Sequence, residues 1–157
     1  TKDQKLSIMK DSRVGSYGVL ALILVIATRI MALAALPATA QSLILVISLA
    51  MVSRMMMVVY LNWLPSARFE GLGHEAGKDG GGLSVFVAAA LCVPAVLCSG
   101  GFILFSLAAL CGTAVIVGWT ANRQIGGQTG DVCGTVQILS ETAGWLCLTA
   151  LLLPNSV

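Results

Sequence analysis

Apolar residues fall along this chain in five long blocks, not in the strict alternation of a half-buried strand or the single stripe of a water-soluble helix. The blocks run over 17–36, 41–64, 83–98, 102–121 and 132–153. Each approaches the roughly 20 apolar residues that carry a helix across hydrocarbon; the third is the shortest and contains Pro94. A charged arm, 1–16, precedes them, and its Leu6 and Met9 can share one face of a short helix at the membrane surface. Two polar loops, 65–82 with six glycines and 122–131, and two uncharged turns, around Pro37 and Gly100, separate the blocks. The pattern predicts an all-α, polytopic membrane helix bundle with about five transmembrane helices. Residues 1–16 form a cytoplasmic or interfacial arm, and 17–153 a helical membrane domain with loops 65–82 and 122–131.

Composition agrees. The chain is 57% hydrophobic and only 10% charged, and its mean hydropathy of +0.93 makes lipid its main solvent. A net charge of +2 is not the basic patch of a nucleic-acid binder, so no nucleic acid is expected as a partner. Cys92, Cys98, Cys111, Cys133 and Cys147 lie mostly inside apolar blocks without metal-ligand spacing, which points to packing and not to a disulfide framework. The opening at Thr1, polar and charged, shows no signal peptide and reads as the interior of a longer protein.

Charge placement sets the expected topology. With five crossings, the arm and both polar loops share one side, and Lys2, Lys5, Lys10, Arg13, Arg68, Lys78 and Arg123 all lie there. Positive residues favour the cytoplasm, so these segments face inward from a bacterial cytoplasmic (inner) membrane, and chemistry is expected at that face. Three charges fall inside the blocks. Arg29, Arg54 and Glu141 each lie about 15 Å from the cytoplasmic edge at 1.5 Å per residue. Charges at that depth face the bundle interior with a partner. Glu141 is therefore expected to pair with Arg29 or Arg54, leaving the other arginine for a ligand or for a carboxylate outside the chain.

The densest polar feature is 125–141, with four glycines, Asp131 and Glu141 between two apolar blocks. Gly126, Gly127 and Gly130 permit a tight turn with outward amides, and Thr129 or Asp131 can cap the helix that follows. Amides at a helix N-terminus attract phosphate, and a carboxylate there can hold a divalent cation. A plain polar hairpin between two membrane helices has the same composition. Asp131 and Glu141 on one straight helix stand about 15 Å apart, so they cannot share one Mg²⁺ ligated at about 2 Å.

Three blocks resemble the cobalamin synthase family, the adenosylcobinamide-GDP ribazoletransferases. Ile8-Met-Lys-Asp-Ser-Arg-Val-Gly-Ser-Tyr-Gly18 is similar to the family's segment entering a membrane helix, and Ala67-Arg-Phe-Glu-Gly-Leu-Gly73 to one of its loops. Gly126-Gly-Gln-Thr-Gly-Asp-Val-Cys-Gly134, continuing to Ser140-Glu141, is similar to its glycine-rich segment and following helix. The resemblance covers this chain but only the later part of the family's length, and the family's aspartate-rich N-terminal signature is not in it. A missing N-terminal segment of the same enzyme is thus an expected partner, and homo-oligomer formation is left open.

The resemblance implies a transferase that joins adenosylcobinamide-GDP to α-ribazole, or to its 5′-phosphate, releasing GMP with Mg²⁺ assisting. By matching position, it implies Asp131 and Asp11 as catalytic groups. Asp131, Asp11 and Glu70 are the candidate Mg²⁺ ligands. Arg13, Arg68, Gly126, Gly127, Thr129 and Gly130 are the candidate phosphate contacts. A transporter or channel subunit with an anion path lined by Arg29 and Arg54 is the competing class, although the opposite turns carry no charge to form its far mouth. A phosphotransferase acting on a lipid alcohol is a third. His74, alone of its kind, reads as a loop residue, Met55, Met56 and Met57 as packing residues, and Trp63 as an interfacial anchor.

Overall fold

A computed structural model describes residues 1–11, 13–67, 72–101 and 103–153, with the backbone alone over 72–80. The described residues form six helices: α1 Lys2–Lys10, α2 Ser16–Ala34, α3 Ala40–Trp63, α4 Leu72–Cys98, α5 Ile103–Ile125 and α6 Gly130–Leu152. Five stretches are long and apolar enough to cross a membrane: α2, α3, the Gly81–Cys98 part of α4, α5 and α6. The chain is a polytopic helical membrane bundle.

Helix ends depart from the apolar blocks in two places. The polar stretch 65–82 is not a loop throughout: its backbone is helical from Leu72. That helix is interrupted at Gly81, whose φ of 51° is left-handed. The 122–131 loop shrinks likewise, since α5 continues to Ile125 and α6 begins at Gly130. α5 runs past its apolar block and stops only before Gly126, whose φ is 74°.

α6 is the hub. It packs against α2, α3 and α5, while α4 docks on α3 and α1 on α5. The bundle centre is filled by Leu45, Leu49, Ile103, Leu110, Trp145 and Leu148. Small residues let the helices close: Gly144 receives Leu49, and Gly118 receives the Tyr60 ring, whose hydroxyl donates to the Ala114 carbonyl at 2.7 Å. Close approach through small residues is how helices associate where lipid supplies no hydrophobic drive. Away from α1, Ser48 and Ser99 share a 2.7 Å hydrogen bond and the Gln41 amide donates to the Ser99 carbonyl at 2.9 Å, joining α3 to α4. All five cysteines are free.

A Cβ at Gly118 would lie 1.9 Å from a Tyr60 ring carbon, whereas one at Gly112, on the same helix, meets nothing within 4 Å. Gly118→Ala is expected to destabilise the bundle by about 1–3 kcal/mol, the usual cost of overpacking, and Gly112→Ala to leave it unchanged or firmer. Equilibrium unfolding of the reconstituted chain in mixed detergent–lipid micelles measures both.

Candidate functional site

At one rim of the bundle the chain brings together segments far apart in sequence. α1 begins with a capping box in which the Thr1 hydroxyl accepts from the Gln4 amide and the Gln4 side chain accepts from the Thr1 backbone nitrogen. Its Leu6 and Met9 do share a face, but that face is seated on the protein, on a cluster that includes Ile125 and Val132. Lys5 Nζ donates to Gln124 Oε1 at 3.1 Å, so this lysine meets α5. The arm and the end of α5 therefore occupy the same rim.

α5 ends at Gly126, whose φ of 74° suits glycine and whose amide closes back on the Asn122 carbonyl at 2.9 Å. The next residues form a backbone clasp. The Gln128 amide donates to the Pro65 carbonyl at 2.8 Å, and the Ala67 amide donates to the Gln128 carbonyl at 2.8 Å. Gly127 allows this approach because a Cβ there would lie 2.0 Å from the Pro65 oxygen. Gln128 is buried, and Thr129 caps α6 by accepting from the Val132 amide at 3.3 Å. Of the two capping candidates, Thr129 is the one used. Gly130 and Asp131 are exposed in the first turn of α6, where the helix dipole favours negative charge. Among the described residues no side chain is bonded to the Asp131 carboxylate, which is left facing outward from the rim.

Asp11 lies just beyond α1 and is already engaged. Its carboxylate receives the Arg13 guanidinium at 2.8 Å and the Arg13 amide at 3.0 Å. The Arg13 hydrogen bonds hold the Asp11 carboxyl below the usual carboxylate range and push the Arg13 guanidinium up. A carboxylate so stabilised is a weak proton acceptor at neutral pH, and an exposed Arg13 carrying its own counter-ion is only partly available to a phosphate. Arg68 and Glu70 lie outside the described residues. The clasp nonetheless fixes Pro65–Ala67, the residues leading into them, against the glycine turn.

The charges inside the bundle form a second, separate constellation. Glu141, 3% exposed, receives Arg29 Nη2 at 3.2 Å on one oxygen. Its other oxygen receives Ser53 at 3.1 Å, the Gln137 amide, and Arg54 Nη1 at 3.6 Å. Arg29 also donates to Thr142 Oγ1 at 3.1 Å and lies over the Trp145 ring at 4.2 Å. Glu141 thus meets both arginines where one was expected, Arg29 in a hydrogen bond and Arg54 only at the longer ion-pair distance. Depth along a helix predicted the meeting, whereas azimuth, which sequence position does not reveal, decided how many partners arrive. Gln137 had a readable signal, standing one turn before Glu141 on α6; Ser53 had none beyond its place beside Arg54.

The sequence profile of the cobalamin-5-phosphate synthase family matches residues 1–149. The chain belongs to that family. Among curated relatives it is 36% identical over 147 residues to an adenosylcobinamide-GDP ribazoletransferase of Azorhizobium caulinodans, covering 89% of this chain and 56% of the relative. It is 34% identical over 144 residues to that of Mesorhizobium japonicum (91% and 55%) and 34% identical over 160 residues to that of Brucella ovis (94% and 60%). The chain thus spans a little over half the length of the curated relatives it matches. No solved structure matches it significantly. In this cobalamin-5-phosphate synthase family chain, parts of all three resembling blocks reach one rim: the first through α1, the second through Ala67, and the third through the turn that ends in Asp131.

The clasp generates a direct expectation. Gly127→Ala is expected to break it and speed amide exchange at Ala67 and Gln128 by about tenfold or more, equivalent to about 1.4 kcal/mol of lost protection. Gly134→Ala, which adds a methyl into open space, is expected to leave both amides as slow as before. Hydrogen–deuterium exchange of the reconstituted chain distinguishes the two.

Proposed function

We propose that this chain forms the larger membrane-embedded part of an enzyme that joins adenosylcobinamide-GDP to α-ribazole, or to its 5′-phosphate. A hydroxyl of the acceptor attacks the phosphorus attached to cobinamide, the pyrophosphate bond breaks, and GMP leaves with the bridging oxygen. The product is adenosylcobalamin or its phosphate. The observation that supports this reading above others is the clasp between Pro65–Ala67 and Gly127–Gln128 beside α1. It gathers glycine backbone, a free carboxylate and basic arm residues at the rim of a lipid-facing bundle, where a nucleotide conjugate can be held without entering hydrocarbon.

In this reading the outward amides at the start of α6 face phosphate oxygens. Asp131, unpaired among the described residues, holds a Mg²⁺ or receives the acceptor proton. Mg²⁺ fits a site with one or two carboxylates completed by phosphate oxygens and water, and Asp131 supplies one such ligand. When bound, the ion spreads the charge that develops on the pyrophosphate. Asp11 contributes less as a base than as the partner that aims Arg13. Arg13 and Arg68 offer planar, two-pronged contacts to phosphate that lysine does not reproduce. Glu70 is a further candidate ligand. By the positive-inside rule the rim faces the cytoplasm of a bacterial inner membrane. The additional length in the relatives supplies the rest of the site, and assembly of several copies is compatible with it.

Asp131→Asn in the full-length enzyme tests this. With the additional N-terminal part co-expressed, GMP release from adenosylcobinamide-GDP, α-ribazole and Mg²⁺ is expected to fall by about 10²–10⁴-fold, the range for loss of a positioned acid–base group. Asp3→Asn, which alters an exposed carboxylate of α1 given no role in this reading, is expected to retain the wild-type rate. Unchanged turnover and Mg²⁺ response in Asp131→Asn would overturn the assignment.

A further inference from the structure

Arg54 is a charge in the wrong solvent. It lies nine residues before the rim end of α3 and fourteen after its other end, so its Cα is about 14 Å from one boundary and about 21 Å from the other. A long cation near a helix end can reach outward to the interface. Arg54 does the opposite: its Nη1 donates to the Ala50 carbonyl at 2.7 Å, one turn toward the bilayer centre. Its side chain remains 61% exposed.

Its charge is also unbalanced. Arg29, Arg54 and Glu141 sum to one positive charge, and the Glu141 carboxylate is already bonded by Arg29, Ser53 and Gln137, leaving Arg54 the longest contact at 3.6 Å. Arg54 closes a stripe on α3 formed with Leu43 and Ile47, respectively 60% and 48% exposed. Those three positions are spaced by four and seven residues, the repeat of a helix-docking seam. Leucine and isoleucine tolerate lipid; a guanidinium at this depth does not.

We propose that the Leu43–Ile47–Arg54 stripe is an interface for a further transmembrane helix that brings one Asp or Glu to the level of Arg54. Charge complementarity selects this occupant, because the incoming carboxylate neutralises the cluster and completes the guanidinium's hydrogen bonding. A second copy of this chain does not supply it. Apart from Asp131 at the rim, Glu141 is the sole carboxylate in the five spans, and it is enclosed in its own bundle. The inference holds whichever reaction the rim performs.

The test uses the intact chain, fluorescently labelled and reconstituted in phosphatidylcholine vesicles, with leucine-rich transmembrane peptides as probes. One probe carries a single central Glu and the other a Gln. Energy transfer is expected to report about tenfold tighter association of the Glu probe, matching about 1–2 kcal/mol for a polar contact between membrane helices. Arg54→Leu is expected to erase that preference and Arg54→Lys to retain most of it. Equal association of the two probes with the unmodified chain would overturn the proposal without reliance on any variant's folding. So would a preference that survives Arg54→Leu, or one abolished by millimolar inorganic phosphate, which would mark a small-anion site instead of a helix interface.

Discussion

A carboxylate placed inside hydrocarbon has to be met by donors from its neighbours, and Glu141 draws them from three helices. Arg29 comes from α2, Ser53 and Arg54 from α3, and Gln137 from α6 itself. Removing water makes each contact stronger and each omission more expensive. The arrangement therefore fixes more than one pair. It sets the rotation of α2 and α3 about α6 at one depth, and Trp145 beneath Arg29 ties that depth to the apolar core. With α5 closed onto α3 through Tyr60 and Gly118, the bundle is determined on both sides of its hub.

The rim depends on that determination. α5 and α6 must emerge side by side for a turn as short as Gly126–Thr129 to join them, and α3 must end beside them for Pro65 to reach Gln128. Given that, two backbone hydrogen bonds suffice to hold the segments together, because the helices have already met most of the entropic cost of bringing the loops near each other. α1 then closes over the same end through Leu6, Met9 and Lys5. A site of conformationally demanding glycines thus rests on rigid elements, which is where precise positioning is easiest to maintain.

What the sequence made legible follows from the same physics. Lipid imposes length and composition on every span, so the five crossings and the placement of Arg29, Arg54 and Glu141 at one depth were readable from position alone. The exact helix limits were not, since Arg123 and Gln124 continue α5 past the hydrocarbon until Gly126 stops it. The clasp was not readable either. It is made by backbone atoms of Pro65, Ala67 and Gln128, which leave no side-chain pattern, and Gly127 is its one trace. The seat of α1 was ambiguous for another reason: an apolar pair such as Leu6 and Met9 fits a lipid surface and a protein surface equally well.

The two polar constellations on α6 are separated by more than function. Asp131 and Glu141 stand ten residues apart on one unbroken helix, about 15 Å along its axis, and their surroundings are opposite in kind. Asp131 is solvated at the helix start, where its charge is tolerated without a fixed partner, and so it remains available to an incoming ligand. Glu141 is enclosed and bonded on both oxygens, so its charge is consumed in holding helices together. The same carboxylate chemistry is thereby left exposed at the rim and made structural within the membrane, and the difference is set by the solvent each carboxylate meets.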